Sequence, residues 1–272
     1  MTNNYVVTDS VYGTFFKYRP IGAKGSKSRE RLVLTFSQAE IYFAAPSALN
    51  DPFDCRPRFE FSGKPEEQRR VLRDMWVAGA IRNGVPARQA RRLSEGAATE
   101  LMVKIKAPET RADQFFRFID QKTGTYCMSM SCEVATQWAY YADNHRGVCL
   151  EFTIDEKHKF APVYPVRYSD VRPCVDVFRL LTDTEPTEPL MAAVTTKSDN
   201  WMAEREVRAL QNKPGLYKLP DGMLTGLVFG TNATDNDIAW IKEQIESADL
   251  SVSYSRVVPD LDHYLLNRVD LT

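Results

Sequence analysis

A stretch of helical period set between segments of β period constrains this chain most. Over residues 64–122, Val71, Leu72, Met75 and Trp76 recur at helical spacing, and Leu101, Ile105, Phe115, Phe116 and Ile119 continue it. Gly84-Val85-Pro86 and Pro108 interrupt the pattern, so three helices are expected. Segments of a different kind flank this stretch. Residues 13–19 and 41–44 read as strands. In 124–131, Thr125, Cys127, Ser129 and Ser131 share one face, and Tyr126, Met128 and Met130 take the other. Strands are also expected at 148–154, 163–168, 204–210, 224–229 and 252–258, with helices at 29–38, 133–145 and 234–248. Residues 173–200 read as helical around a loop near 182–189. The fold expected is α+β: one domain over 1–272 with a mixed, mainly antiparallel β core and a helical insertion at 64–122.

The chain has 272 residues, 43% hydrophobic and 26% charged, enough apolar content for a sizeable core. A net charge of −1 argues against wholesale electrostatic binding to nucleic acid or membrane. No apolar run approaches the roughly 18 residues of a membrane span, and Met1-Thr2-Asn3-Asn4-Tyr5 lacks signal-peptide character. Five cysteines without metal-ligand spacing read as reduced thiols of a cytoplasmic protein. Three histidines (His145, His158, His263) make a histidine-based zinc site an unfavourable reading, and no metal is expected. Arg69, Arg70, Arg73, Arg82, Arg88, Arg91 and Arg92 crowd the helical stretch. They read either as a solvated helix face or as a contact to nucleic-acid phosphates, for which Arg69, Arg70, Arg73, Arg88, Arg91 and Arg92 are the candidates.

The segment Trp201-Met202-Ala203-Glu204-Arg205-Glu206-Val207-Arg208 carries the most chemistry. On a strand, Glu204, Glu206 and Arg208 point the same way. Two carboxylates about 7 Å apart on one face need a cation nearby, and Arg208 is at hand. Such a pair can stabilise a developing positive charge with one member and orient a nucleophile with the other. The bland alternative is a solvated face with a Glu–Arg pair. Trp138, Tyr141 and His145 form a stripe at i, i+3 and i+4 spacing, with His145 placed to cap a helix end. Asn50 and Asp51 brace a turn-rich loop or line a pocket.

Four spaced blocks resemble an uncharacterised bacterial domain family of unknown function found near mobile and defence genes. They are Phe16-Lys17-Tyr18-Arg19, Pro46-x-x-x-Asn50-Asp51-Pro52-Phe53-Asp54, Cys127-Met128-Ser129 with Trp138-x-x-Tyr141-Ala142-Asp143-x-His145-x-Gly147, and Lys197-x-x-x-Trp201-x-x-Glu204-x-Glu206-x-Arg208. The order of an early arginine, a Ser-x-Ser strand and a Glu-x-Glu strand is also similar to the Arg–Ser–Glu class of ADP-ribosyltransferases. That resemblance implies a split β-sheet and NAD as substrate. It places Arg19 at the NAD phosphates, with Lys17 and Tyr18 as alternatives, and Ser129 and Ser131 at the nicotinamide ribose. Glu206 would act on the ribose and Glu204 on the acceptor. Asn50, Phe53 and Tyr141 would line the cofactor pocket. Met130 departs from the class, which has threonine there.

The leading expectation is therefore an NAD-dependent ADP-ribosyltransferase, a toxin or phage-defence effector acting on protein or nucleic acid. The alternatives are a non-enzymatic sensor or interaction module of a defence system, and a metal-dependent nuclease using Asp51, Asp54, Glu204 and Glu206.

Overall fold

The computed structural model describes residues 9–106, 108–158, 160–182 and 187–271. Its strands are β1 (Gly13–Arg19), β2 (Glu40–Phe43), β3 (Arg58–Glu60), β4 (Gly124–Ser129), β5 (Val148–Ile154), β6 (Val163–Pro165), β7 (Arg167–Ser169), β8 (Cys174–Asp176), β9 (Thr196–Ser198), β10 (Glu206–Gln211), β11 (Gly215–Lys218), β12 (Leu224–Phe229), β13 (Ser253–Pro259) and β14 (Leu266–Asp270). Its α-helices are α1 (Lys27–Gln38), α2 (Pro65–Arg82), α3 (Ala87–Lys106), α4 (Pro108–Lys122), α5 (Ala135–Tyr141), α6 (Val177–Thr182), α7 (Thr187–Thr195) and α8 (Asp235–Ser247). The α+β class and the mostly antiparallel sheet are as expected.

The chain divides into two compact units. One takes residues 51–119 and 169–197; the other takes 8–50, 120–168 and 198–272. The helical stretch is thus not an insertion standing alone, because its unit also recruits 169–197. Within that unit, β3 and β8 pair in parallel. Pro65 opens α2 at a position whose missing N–H costs nothing. The Gln68 amide donates to the carbonyls of Phe61, Ser62 and Gly63 and ties the approach to the helix. Fully buried Ala90 and Ala98 on α3 face inward with Leu72 of α2, where small side chains permit close helix packing. Residues 173–200 form helices α6 and α7, as expected, with the short strands β8 and β9 on either side of them.

The second unit is built on an eight-stranded sheet in the order β14-β13-β12-β5-β1-β4-β10-β6. It is antiparallel apart from the β12–β13 pair. Alternation divides the side chains cleanly. Phe15, Tyr126, Met128, Leu150, Phe152, Val207, Ala209 and Leu227 fill one face, under Leu32 and Phe36 of α1 and Ile241 and Ile245 of α8. Phe16, Tyr18, Cys149 and Val228 fill the other, against Trp138 of α5 and Ala142 just past its end. α1 starts at Ser26, whose hydroxyl accepts from the Arg29 amide, and α8 starts at Thr234, which does the same for Asp237.

Strands β1 and β4 register at one residue pair, Phe16 with Ser129. Further along, the Cys127 carbonyl accepts instead from Lys17 Nζ at 2.6 Å. A lysine side chain stands there in place of a ladder hydrogen bond.

Candidate functional site

Three strands meet where the sequence concentrates its chemistry. The row Phe16–Ser129–Glu206 crosses β1, β4 and β10, because Ser129 registers with both of the others. These side chains, with Tyr18, Cys127 and Arg208, occupy the α5 face.

Glu206 and Arg208 form a bidentate pair on that face. Arg208 Nε lies 2.8 Å from Glu206 Oε1 and Nη2 lies 3.3 Å from Oε2. The arginine side chain is 0% exposed and the glutamate 5%. The Glu206 amide donates to Tyr168 Oη at 2.7 Å. Burial, followed by the charge of Glu206, pushes the Cys127 thiol well above its usual range and keeps it protonated.

Glu204 does not share the strand. It closes a 3₁₀ turn over Asp199–Glu204, and Arg205 has φ 48°, so β10 begins only at Glu206. The left-handed residue breaks the alternation that would have put the two carboxylates on one strand face. Glu204 is still buried, and its Oε1 accepts from Tyr141 Oη at 2.8 Å. Tyr141 Oη in turn accepts from Asn50 Nδ2 at 2.8 Å. A relay therefore runs from exposed Asn50 through Tyr141 to the buried carboxylate. The Glu204 carbonyl receives Ser129 Oγ at 2.7 Å and the Gln137 amide. Ser129 Oγ also accepts from the Ser131 amide at 3.2 Å. Tyr18 Oη donates to the Ser131 carbonyl at 2.9 Å and accepts from the Val134 amide. Burial raises the Tyr18 phenol far above its normal value, so it stays neutral.

Not every candidate joins this group. Alternation along β1 turns Lys17 and Arg19 to the opposite face, the side of Phe15 and Tyr126. Both cations lie over the Tyr126 ring, at 5.1 and 6.0 Å from its centroid. Burial of its ammonium, then repulsion from Arg19, lowers Lys17 to about 8. Lys17 nevertheless reaches between β1 and β4 to the Cys127 carbonyl, where the charge of Glu206 acts on it and partly offsets that lowering. Phe53 is 62% exposed and belongs to the first unit, where it lies under Arg172 at 5.8 Å. Asp51 and Asp54 belong to that unit too, and Asp51 Oδ1 is engaged by the Phe53 amide. Among the described residues no group of three or more His, Cys, Asp or Glu is placed to hold a metal ion.

Helix α5 is shorter than expected because Asp143, Asn144 and His145 all have positive φ, from 48° to 67°. Gly147 follows, where a Cβ would lie 2.3 Å from the Arg19 carbonyl. Only glycine fits so close to β1. His145 stacks on Trp138 at 6.5 Å, and burial lowers its pKa. Gln137 and Tyr168 were not singled out by sequence reasoning. Neither carries a local signal, since both gain their role from β10 arriving beside them.

Residues 137–209 match the model of a protein family of unknown function (DUF2971). The match spans the Trp138-to-Gly147 and Trp201-to-Arg208 blocks, as the resemblance to an uncharacterised family implied, and ends one residue past Arg208. No curated protein and no solved structure matches the chain. Among the described residues no helix is long and apolar enough to cross a membrane.

Proposed function

We propose that the α5 face of β1, β4 and β10 binds NAD and transfers ADP-ribose to a macromolecular acceptor, protein or nucleic acid, as a toxin or defence effector would. One observation carries this reading. Three blocks that are far apart in sequence, and whose order resembles the Arg–Ser–Glu class, occupy three adjacent strands, with Ser129 facing Glu206. In the reaction the bond from ribose C1′ to the nicotinamide nitrogen breaks, and nicotinamide leaves with the electron pair. Glu206 stands against the positive charge that develops on the ribose. An acceptor nucleophile then bonds to C1′ and yields its proton to Glu204, which Tyr141 holds in place. The ribose side of the site rests on Tyr18, Ser129, Ser131, Glu204, Glu206 and Tyr141, with the Lys17 ammonium at the Cys127 carbonyl beside them.

A second reading rests on the Glu206–Arg208 pair. A carboxylate neutralised by a fully buried arginine can equally be a device that fastens β10, in a non-enzymatic interaction module. Incubation with NAD labelled in the nicotinamide ring separates the two. The transferase reading expects released nicotinamide that Glu206→Gln abolishes while circular dichroism stays unchanged. Absence of both NAD binding and nicotinamide release, across protein and nucleic-acid acceptors, leaves only the interaction module.

A further inference from the structure

The helical hairpin of the first unit carries a concentration of charge that the acid pair does not explain. From Met75 to Ser94 the chain has four arginines, Arg82, Arg88, Arg91 and Arg92, and no lysine, aspartate or glutamate. All four are exposed. They surround the turn between α2 and α3, where Gly84 (φ +86°) and the Val85 amide, bonded to the Ala80 carbonyl, reverse the chain. Arg82 lies at the end of α2 and Arg88 in the first turn of α3. That first turn has no acidic residue. Helices usually place acids there, against the positive end of the backbone dipole. Here the arginine charge and the dipole add instead, and both favour an anion.

Arg73 does not belong to this group. It is paired with Glu95 at 2.9 Å and with Asp74. Glu95, the acid closest to the arginine stripe on α3, is thereby engaged.

We infer that the tip of the α2–α3 hairpin is a docking site for the phosphate backbone of a nucleic acid. This inference is independent of the transferase reading. Arginine alone, without lysine, suits the planar two-point contact that phosphate oxygens offer. At about 100° per residue, Arg88, Arg91 and Arg92 fall in one sector roughly 100° wide, and span about 6 Å of helix axis. Exposed Leu93 lies roughly 100° further round than Arg92. Over Arg88 to Arg92 the arginine face is thus polar, whereas a lipid-binding helix flanks its cations with an apolar stripe.

The test is fluorescence anisotropy of the full chain with a labelled single-stranded oligonucleotide at 50 to 200 mM salt. Four phosphate contacts predict a log–log salt slope of about −2.8, or roughly 50-fold weaker binding across that range. Arg88→Gln/Arg91→Gln/Arg92→Gln should reduce the slope to about −0.7, roughly a 3-fold change. Arg82→Glu alone, outside α3, should also weaken binding, and Arg73→Gln should leave it unchanged. No binding at 50 mM salt, an unaltered slope in the triple variant, or equal binding to polyglutamate or phosphatidylserine vesicles would overturn the inference. Glu206→Gln should keep full oligonucleotide affinity, so failure of either proposal is read separately.

Discussion

Replacing Arg208 with methionine keeps most of the side-chain volume and removes the charge, leaving Glu206 ionised in a site that is 5% exposed. At 2.8 Å and an effective dielectric near 20, the lost attraction is about 6 kcal/mol. Part of that is already offset by the cost of taking both charges out of water. Breaking one partner of a buried pair typically costs about 3–5 kcal/mol, against roughly 0–1 for an exposed pair. The expected loss is therefore about 3–5 kcal/mol. The double change Glu206→Gln/Arg208→Met removes both charges and should recover most of it. Urea unfolding followed by tryptophan fluorescence provides the measurement. A Trp76→Phe background confines the signal to Trp138, Trp201 and Trp240, all in the second unit. A loss below about 1 kcal/mol, or an equal loss in the double variant, would refute the picture of a dry, mutually dependent pair.

Lys17 gives a test at alkaline pH. Its folded-state value of about 8 lies below the roughly 10.4 of an unfolded lysine, so the unfolded chain holds that proton more tightly. Stability should rise with pH between the two values, and Lys17→Met should remove that rise. The readout is the difference in urea midpoint between parent and variant at pH 7.5, 9 and 10.5; a constant difference would contradict the assignment. Tyr141→Phe should cost about 1.5–3 kcal/mol by leaving the buried Glu204 carboxylate without its phenol donor. Asn50→Ala, at the exposed end of the same relay, should cost under about 1 kcal/mol. Thermal melts of the two variants compare them directly, and equal losses would mean that Glu204 does not depend on Tyr141.

Local pattern was sufficient for much of the framework. The alternation of Thr125, Cys127 and Ser129 against Tyr126 and Met128 is the alternation that the sheet displays, because the two faces of β4 bury different partners. The breaks at Gly84-Val85-Pro86 and Pro108 separate α2, α3 and α4, because proline and glycine act through their own backbone limits. Elements without periodicity were less legible. Strands β3, β8 and β9 are three residues long, too short for an alternation to register. β14 was missed as well, since its pattern of one buried residue among exposed ones is that of an edge strand.

The candidate site divides along the same line. Sequence by itself determined which residues carry charge and which are close neighbours in the chain, and so it foresaw that Arg208 stands beside the acids. It could not place Arg205 in a left-handed conformation, the single backbone angle that takes Glu204 off the strand. It could not tell that β1, β4 and β10 lie side by side, bringing Ser129 opposite Glu206 and the Lys17 ammonium against the Cys127 carbonyl. The reason is physical. Alternation and breaker residues act over a few bonds, whereas strand order and register are fixed by long-range burial of both faces of the sheet, and only the folded chain brings those faces together.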